Sequence, residues 1–150
     1  MADGRPIVLV EDDPDDAELT LRALERSRVG NPIIHLKDGA EALDWLYGRG
    51  THAGRDPADA PALFLLDLKL PRVSGLEVLV EARKDHRLRA YPIVVLTSSE
   101  EPDDLRAAYE AGVNSYIRKP VEFGEFAAAV AQLGLYWLVL NRAPHQNPLK

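Results

Sequence analysis

Residues 7–14 read Ile-Val-Leu-Val-Glu-Asp-Asp-Pro, and this stretch decides the fold. Four β-branched or leucine residues in succession, without polar alternation, describe a strand buried on both faces, the kind found in parallel sheets layered between helices. The run ends on Glu11 and Asp12. Asp13 and Pro14 then provide an N-cap and a first-turn proline for a helix in which Ala17, Leu21 and Leu24 recur at helical spacing.

Outward from there, the same strand-then-helix unit recurs. Further apolar runs lie at Ile33 to Leu36, Ala62 to Leu66, Ile93 to Leu96 and Tyr116 to Ile117. A second helix has Asp38 as cap and Glu41 three residues on, in the manner of a capping box, and stops near Gly48. Its buried stripe is expected at Ala40, Leu43 and either Tyr47 or Trp45. Residues 49–61, rich in Gly, Ala, Asp and Pro, lack periodicity and read as a surface loop somewhat longer than usual. Leu76, Leu79 and Val80 start a third helix after Gly75. Pro102, Asp103 and Asp104 open a fourth, which carries Leu105, Ala108 and Tyr109 and closes at Gly112. The fifth is expected from near Val121 to about Asn141. Five such units, with crossovers long enough for a helix, imply an α/β fold with a parallel sheet covered on both faces.

With 150 residues, 46% of them hydrophobic, the chain has material for one core and not two. One domain over residues 1–150 is expected, its core spanning about 5–130 with a helical extension and tail beyond. The absence of cysteine excludes disulfides and thiolate metal sites and fits a reducing cytoplasm, and residues 1–6 lack the regions of a signal peptide. A net charge of −6 argues against affinity drawn from a nucleic-acid backbone. No apolar run is long enough to cross a bilayer. His35, His52, His86 and His145 show neither mutual spacing nor flanking acids that would suggest a metal cluster or a phosphodonor.

In a parallel sheet the carboxyl ends of the strands lie together, so Glu11, Asp12, Asp67, Thr97 and Lys119 are expected to converge on one pocket. Burying Glu11 and Asp12 together is unfavourable without a cation, and hard oxygen ligands favour Mg²⁺ or a close relative. Read alone, the two acids also suit a simple complement to the next helix's N-terminus. Asp67 closes the wholly apolar Leu63-Phe64-Leu65-Leu66 and needs a partner. Beside a metal, such a carboxylate can attack phosphorus and form an acyl phosphate; alone, it would cap the turn at Leu70-Pro71. The Lys119 ammonium can pair with Asp67 or with phosphoryl oxygens, and Thr97 and Ser98 bring hydroxyls to the end of the fourth run.

Through Val10-Glu11-Asp12-Asp13, Asp67 with Pro71 and Gly75 following, Thr97-Ser98 and Lys119-Pro120, the sequence resembles the receiver domain of two-component response regulators over nearly its whole length. The resemblance implies a flavodoxin-like (βα)5 three-layer sandwich with strand order 2-1-3-4-5. It implies Asp67 as phosphoacceptor, with Mg²⁺ held by Glu11, Asp12, Asp67 and the Lys69 main-chain carbonyl. Thr97 and Lys119 would grip the phosphoryl oxygens, and Tyr116 would be the aromatic switch that turns inward when Thr97 moves. Two departures stand out: Lys69 where many receivers have Asn or a neutral side chain, and Ser74 in place of the Asp that often precedes Gly75. The Lys69 side chain is expected to alter the lifetime of the phosphoryl group, in a direction the sequence leaves open. Glu11 to Pro14, Asp38-Gly39, Leu70-Pro71-Arg72 and Tyr136-Trp137-Leu138 narrow the resemblance to single-domain regulators paired with bacterial and cyanobacterial phytochrome histidine kinases.

In the last helix Phe123, Phe126, Val130, Leu133 and Trp137 form a core-facing stripe, but residues 133–140 are apolar at every position except Gly134. A helix apolar all round needs a second surface. The resemblance suggests a homodimer through the fourth helix, fifth strand and fifth helix, with Leu133, Tyr136, Trp137 and Leu140 at the interface; the alternative is an extension folded back over the domain. Two rival functions are a haloacid-dehalogenase-type Mg²⁺-dependent phosphatase and a receiver-like interaction module that is never phosphorylated. The phosphatase motif wants a second Asp two residues after its nucleophile, where Lys69 stands; the complete site speaks against the module.

Overall fold

The apolar runs become strands because β-branched and leucine side chains pack well on a pleat that helices cover from both sides. The structure is a computed structural model, and it describes residues 4–26, 30–99, 101–119 and 122–135. Strands β1 (Ile7–Val10), β2 (Ile33–Leu36), β3 (Leu63–Leu66), β4 (Ile93–Thr97) and β5 (Ser115–Arg118) alternate with helices α1 (Pro14–Arg26), α2 (Gly39–Tyr47), α3 (Gly75–Lys84), α4 (Pro102–Glu110) and α5 (Phe123–Leu135). All strand pairs are parallel and the order is β2-β1-β3-β4-β5, the flavodoxin-like order expected.

Strand alternation divides the core in two. Val8, Val10, Phe64, Leu66, Ile93 and Val95 face one layer, packed with Ala42, Trp45 and Leu46 of α2 and Val78, Leu79 and Ala82 of α3. Ile7, Leu9, Leu63, Leu65, Val94 and Leu96 face the other, with Ala17, Ala23 and Leu24 of α1 and Phe126, Val130 and Leu133 of α5. This parity decides which residues at the strand ends can meet.

The helix starts follow their caps. Asp13 Oδ1 accepts the Asp15 and Asp16 N–H groups at 2.8 and 3.2 Å, and Asp38 Oδ1 accepts the Glu41 N–H at 2.8 Å. Glu41 returns its carboxylate to the Lys37 N–H at 3.0 Å instead of to the cap's own, a capping box shifted by one residue. Ser74 caps α3, accepting the Glu77 N–H at 3.2 Å, so this departure keeps a capping oxygen in place.

Several expectations need correction. The buried residues of α2 are Gly39, Ala42, Trp45 and Leu46, whereas Ala40 is exposed and Leu43 and Tyr47 are half-buried. Gly39 is pressed so close to the β3–α3 loop that a Cβ there would lie 2.2 Å from the Val73 carbonyl oxygen, so the first turn of α2 buries the glycine and leaves Ala40 outside. In the loop 49–61, Arg55 donates to the Trp45, Leu46 and Asp59 carbonyls and to the Tyr91 hydroxyl, with its guanidinium 3.4 Å from the Trp45 ring centre. In α4 only Ala108 is buried; Leu105 and Tyr109 are 42% and 52% exposed. Leu133, expected both in the core-facing stripe of the last helix and at an interface, is only 6% exposed and packs in the α1–α5 layer, as the stripe requires. Tyr136, Trp137 and Leu140, like Pro120 and Val121, lie outside the described residues. Among the described residues no helix is long and apolar enough to cross a membrane.

Candidate functional site

Sheet register brings the strand ends into line. Val10 pairs with Leu66, so Glu11 and Asp67 emerge side by side, and the ladder continues one residue further through the Asp67 N–H to the Val10 carbonyl at 3.2 Å. On the other flank Thr97 pairs with Arg118, and the Lys119 N–H reaches the Thr97 carbonyl at 2.7 Å. Residues 11, 67 and 119 continue the parity of Leu9, Leu65 and Ile117, all in the α1–α5 layer. Thr97 continues that of Ile93 and Val95, and so sits on the α3–α4 side together with Tyr116.

The charges meet as this parity requires. Lys119 Nζ donates to Glu11 Oε1, to Asp16 Oδ2 at 3.1 Å and to Asp67 Oδ2 at 3.2 Å, with its side chain only 8% exposed. The second Asp67 oxygen, Oδ1, accepts the Lys69 N–H at 3.0 Å, so the carboxylate is oriented from both sides. Its backbone is crowded by design: a Cβ on Gly75 would lie 2.0 Å from the Asp67 carbonyl oxygen, which is why α3 can start so near only with glycine.

Burial pushes the Glu11 carboxyl up to about 7, against the opposing hydrogen bond from Lys119. Burial also disfavours the Lys119 ammonium, but Glu11 and Asp67 outweigh it and hold its pKa above the ordinary lysine range. One ammonium thus faces three carboxylates, with Asp12 exposed beside them. Carboxylate oxygens of Glu11, Asp12 and Asp67 lie within 4.8 Å of one another. An all-oxygen set with this surplus of negative charge fits a hard divalent cation such as Mg²⁺ or Mn²⁺.

Thr97 is fully buried, its hydroxyl oxygen accepting the Ser99 N–H at 3.4 Å. Tyr116 is half-buried and donates its hydroxyl to the Ser99 carbonyl at 3.3 Å. Of the two serines after β4, Ser98 is exposed and Ser99 is buried, so the inward hydroxyl beside Thr97 is Ser99 and not Ser98. Sequence reasoning also missed Asp16. It reads as one more acid in the first turn of α1; the signal is its spacing of three residues from the cap Asp13, which turns it toward the strand ends. At position 69 the side chain leaves the pocket, and Lys69 Nζ pairs with Asp104 Oδ2 at 3.2 Å.

Residues 7–131 match the family model described as the response regulator receiver domain. The chain is 46% identical over 138 residues to the probable methanogenesis regulatory protein FilR2 of Methanothrix harundinacea, covering 92% of this chain and 86% of that one. It is 36% identical over 132 residues to the response regulator Rcp1 of Synechocystis, covering 88% of each; the structure solved for the Mn²⁺-bound form of Rcp1 superposes with a TM-score of 0.85, covering 93% of this chain and 99% of that one. The bacteriophytochrome response regulator RtBRR is 54% identical, with a TM-score of 0.75 over 95% of this chain and 85% of that one.

Proposed function

The chain belongs to the response regulator receiver family, whose members accept a phosphoryl group in two-component signalling, and from that premise we propose that its acceptor is Asp67, loaded in trans by a sensor histidine kinase. The observation that carries this reading is the Lys119 ammonium, which reaches from the end of β5 to both Glu11 and Asp67 across the sheet.

A divalent cation held by Glu11, Asp12, Asp67 and the Lys69 main-chain carbonyl would neutralise charge on the phosphoryl oxygens. The chain's own residues do the rest. The Lys69 N–H and Lys119 fix the plane of the Asp67 carboxylate for in-line approach. An Asp67 oxygen–phosphorus bond forms as the nitrogen–phosphorus bond of phosphohistidine breaks, and the electron pair leaves on the imidazole nitrogen, which takes a proton from solvent. The Lys119 ammonium and the Thr97 hydroxyl then hold phosphoryl oxygens. Drawing Thr97 toward the site disturbs Ser99, and Tyr116 is bonded to Ser99, so the α4–β5–α5 face registers the change.

The protein is read as a cytoplasmic acceptor that assists its own phosphorylation and dephosphorylation, with no turnover of free substrate. Similarity to a bacteriophytochrome response regulator at 54% identity makes a phytochrome kinase the first donor to test, ahead of the kind of signal suggested by the methanogenesis regulator. A homodimer through the α4–β5–α5 face is the proposed output. Phosphate incorporation from phosphorylated kinase or acetyl phosphate, followed by mass spectrometry with and without Mg²⁺, tests the assignment. One metal-dependent phosphate on the unaltered chain and none on Asp67→Asn is expected; labelling of Asp67→Asn at the original level would overturn it.

A further inference from the structure

Asp104, in the first turn of α4, is shared by two donors from different parts of the site. Its Oδ2 accepts the Ser99 hydroxyl at 2.5 Å and the Lys69 ammonium at 3.2 Å. Ser99 in turn accepts the Glu101 N–H on its hydroxyl at 3.2 Å and the Tyr116 hydroxyl on its carbonyl at 3.3 Å. A continuous polar chain therefore runs from the loop that carries the acceptor, through one carboxylate oxygen, to the aromatic side chain of β5. None of these links involves Lys119, which is already occupied by Glu11, Asp16 and Asp67.

Lys69 is held lightly where it is. Its side chain is 60% exposed and borders a cavity of about 240 Å³ lined by Leu68, Leu70, Ser74, Leu76 and Asp104, so no dense packing fixes it there. Its backbone, by contrast, is fixed beside the acceptor by the N–H bond to Asp67 Oδ1. A four-carbon stem anchored two residues from Asp67 lets the ammonium reach either Asp104 or a new group on Asp67. A phosphoryl group adds negative charge to a pocket where three carboxylates already share one ammonium, and Lys69 is the cation of the same loop that stands nearest Asp67 in the chain, Arg72 being paired with Asp38.

We propose that Asp104 is a latch: in the unphosphorylated protein it holds Lys69 away from the acceptor and, with Ser99, tethers the first turn of α4 to the acceptor loop, and a phosphoryl group on Asp67 competes Lys69 away from it. Loss of Lys69 leaves Asp104 with Ser99 alone, so the strain of activation passes to the Ser99–Tyr116 end of the chain by a route separate from Thr97. Asp104 is thus a positioning residue, acting through Lys69. The inference rests on the reading of Asp67 as acceptor.

The test uses the full chain, Mg²⁺ and beryllofluoride as phosphoryl mimic, with affinity measured by calorimetry for the unaltered chain, Asp104→Asn, Lys69→Gln and the double variant. Asparagine keeps an oxygen for Ser99 but removes the charge that holds Lys69. Because an exposed ion pair of this kind contributes little, Asp104→Asn is expected to bind the mimic about two- to fivefold more tightly, Lys69→Gln more weakly, and Asp104→Asn to have no effect in the Lys69→Gln background. Without mimic, the amide NMR signals of Ser99, Glu101 and residues 103–105 in Lys69→Gln should move toward the positions they take in the mimic-bound unaltered chain. Equal tightening by Asp104→Asn whether or not Lys69 is present, or no tightening at all, would overturn the latch while leaving Asp67 as acceptor. Failure of the unaltered chain to bind the mimic would overturn both.

Discussion

Glu11 is the residue on which the metal-free site is least comfortable. It is 2% exposed, and burial raises its pKa from 4.5 to about 7. Because the folded value lies above the unfolded one, the contribution to stability is complete below about pH 4.5 and is lost as pH rises through about 7, at most roughly 3 kcal/mol since Lys119 shares the charge. Lys119 stays protonated throughout this window, because its pKa is raised, and so adds no slope. The thermal midpoint in EDTA is therefore expected to fall between about pH 5 and pH 8, and Mg²⁺ to restore it at the upper end, where the carboxylate is anionic and able to bind. Thermal unfolding at both pH values, with EDTA and with Mg²⁺, checks this. Glu11→Gln should flatten the pH difference and remove most of the Mg²⁺ effect; an unchanged pH slope in that variant would show that the slope originates elsewhere.

At the scale of elements, strand ends carry the chemistry and helices supply groups that are harder to see in sequence. The strands and their terminal Glu11, Asp67, Thr97 and Lys119 were legible because a doubly covered parallel strand is written as an unbroken apolar run, and the charges and hydroxyl that close these runs, each ordinary alone, are expected at one end of the sheet together. Asp16, Ser99 and Asp104 were not, since each looks like an ordinary helix-start or loop residue until the helix is placed against the sheet. The burial of Gly39 in α2 was hidden for a related reason: it depends on meeting Val73 from a distant loop. Arg83 was equally silent. It reads as a basic residue near the end of α3, yet it donates to the carbonyls of Leu88, Arg89, Tyr91 and Gly112 and to Asn114 Oδ1, which itself accepts the Ile93 N–H at 2.8 Å. One guanidinium thereby joins the end of α3, the start of β4 and the turn into β5. Arg83→Met keeps the stem and strands those acceptors, so a loss of about 3 kcal/mol in urea unfolding is expected. Arg83→Met and Asn114→Ala should be less than additive, because both break the same junction.

Across the whole molecule the two faces of the sheet divide the labour. Glu11, Asp67 and Lys119 follow the parity of the α1–α5 layer, while Thr97 and Tyr116 follow that of the α3–α4 layer, so charge is gathered on one side and the proposed readout residues lie on the other. The readout side also carries the two large apolar side chains of α4 that remain exposed, Leu105 and Tyr109, four residues apart and so on one stripe. On the proposed switch, a phosphoryl-driven rearrangement of Ser99 and Tyr116 would act at the start of that helix and on the strand beside it, and would alter how the stripe is presented to a second copy. If dimerisation uses this face, Leu105→Ser with Tyr109→Ser should leave the monomer folded, since neither side chain is core, and should weaken the beryllofluoride-loaded dimer about tenfold or more. Light scattering coupled to size exclusion, with and without the mimic, reads the outcome. A double variant that binds the mimic normally and still dimerises like the unaltered chain would move the interface off α4 and leave the apolar residues beyond Leu135 to carry it.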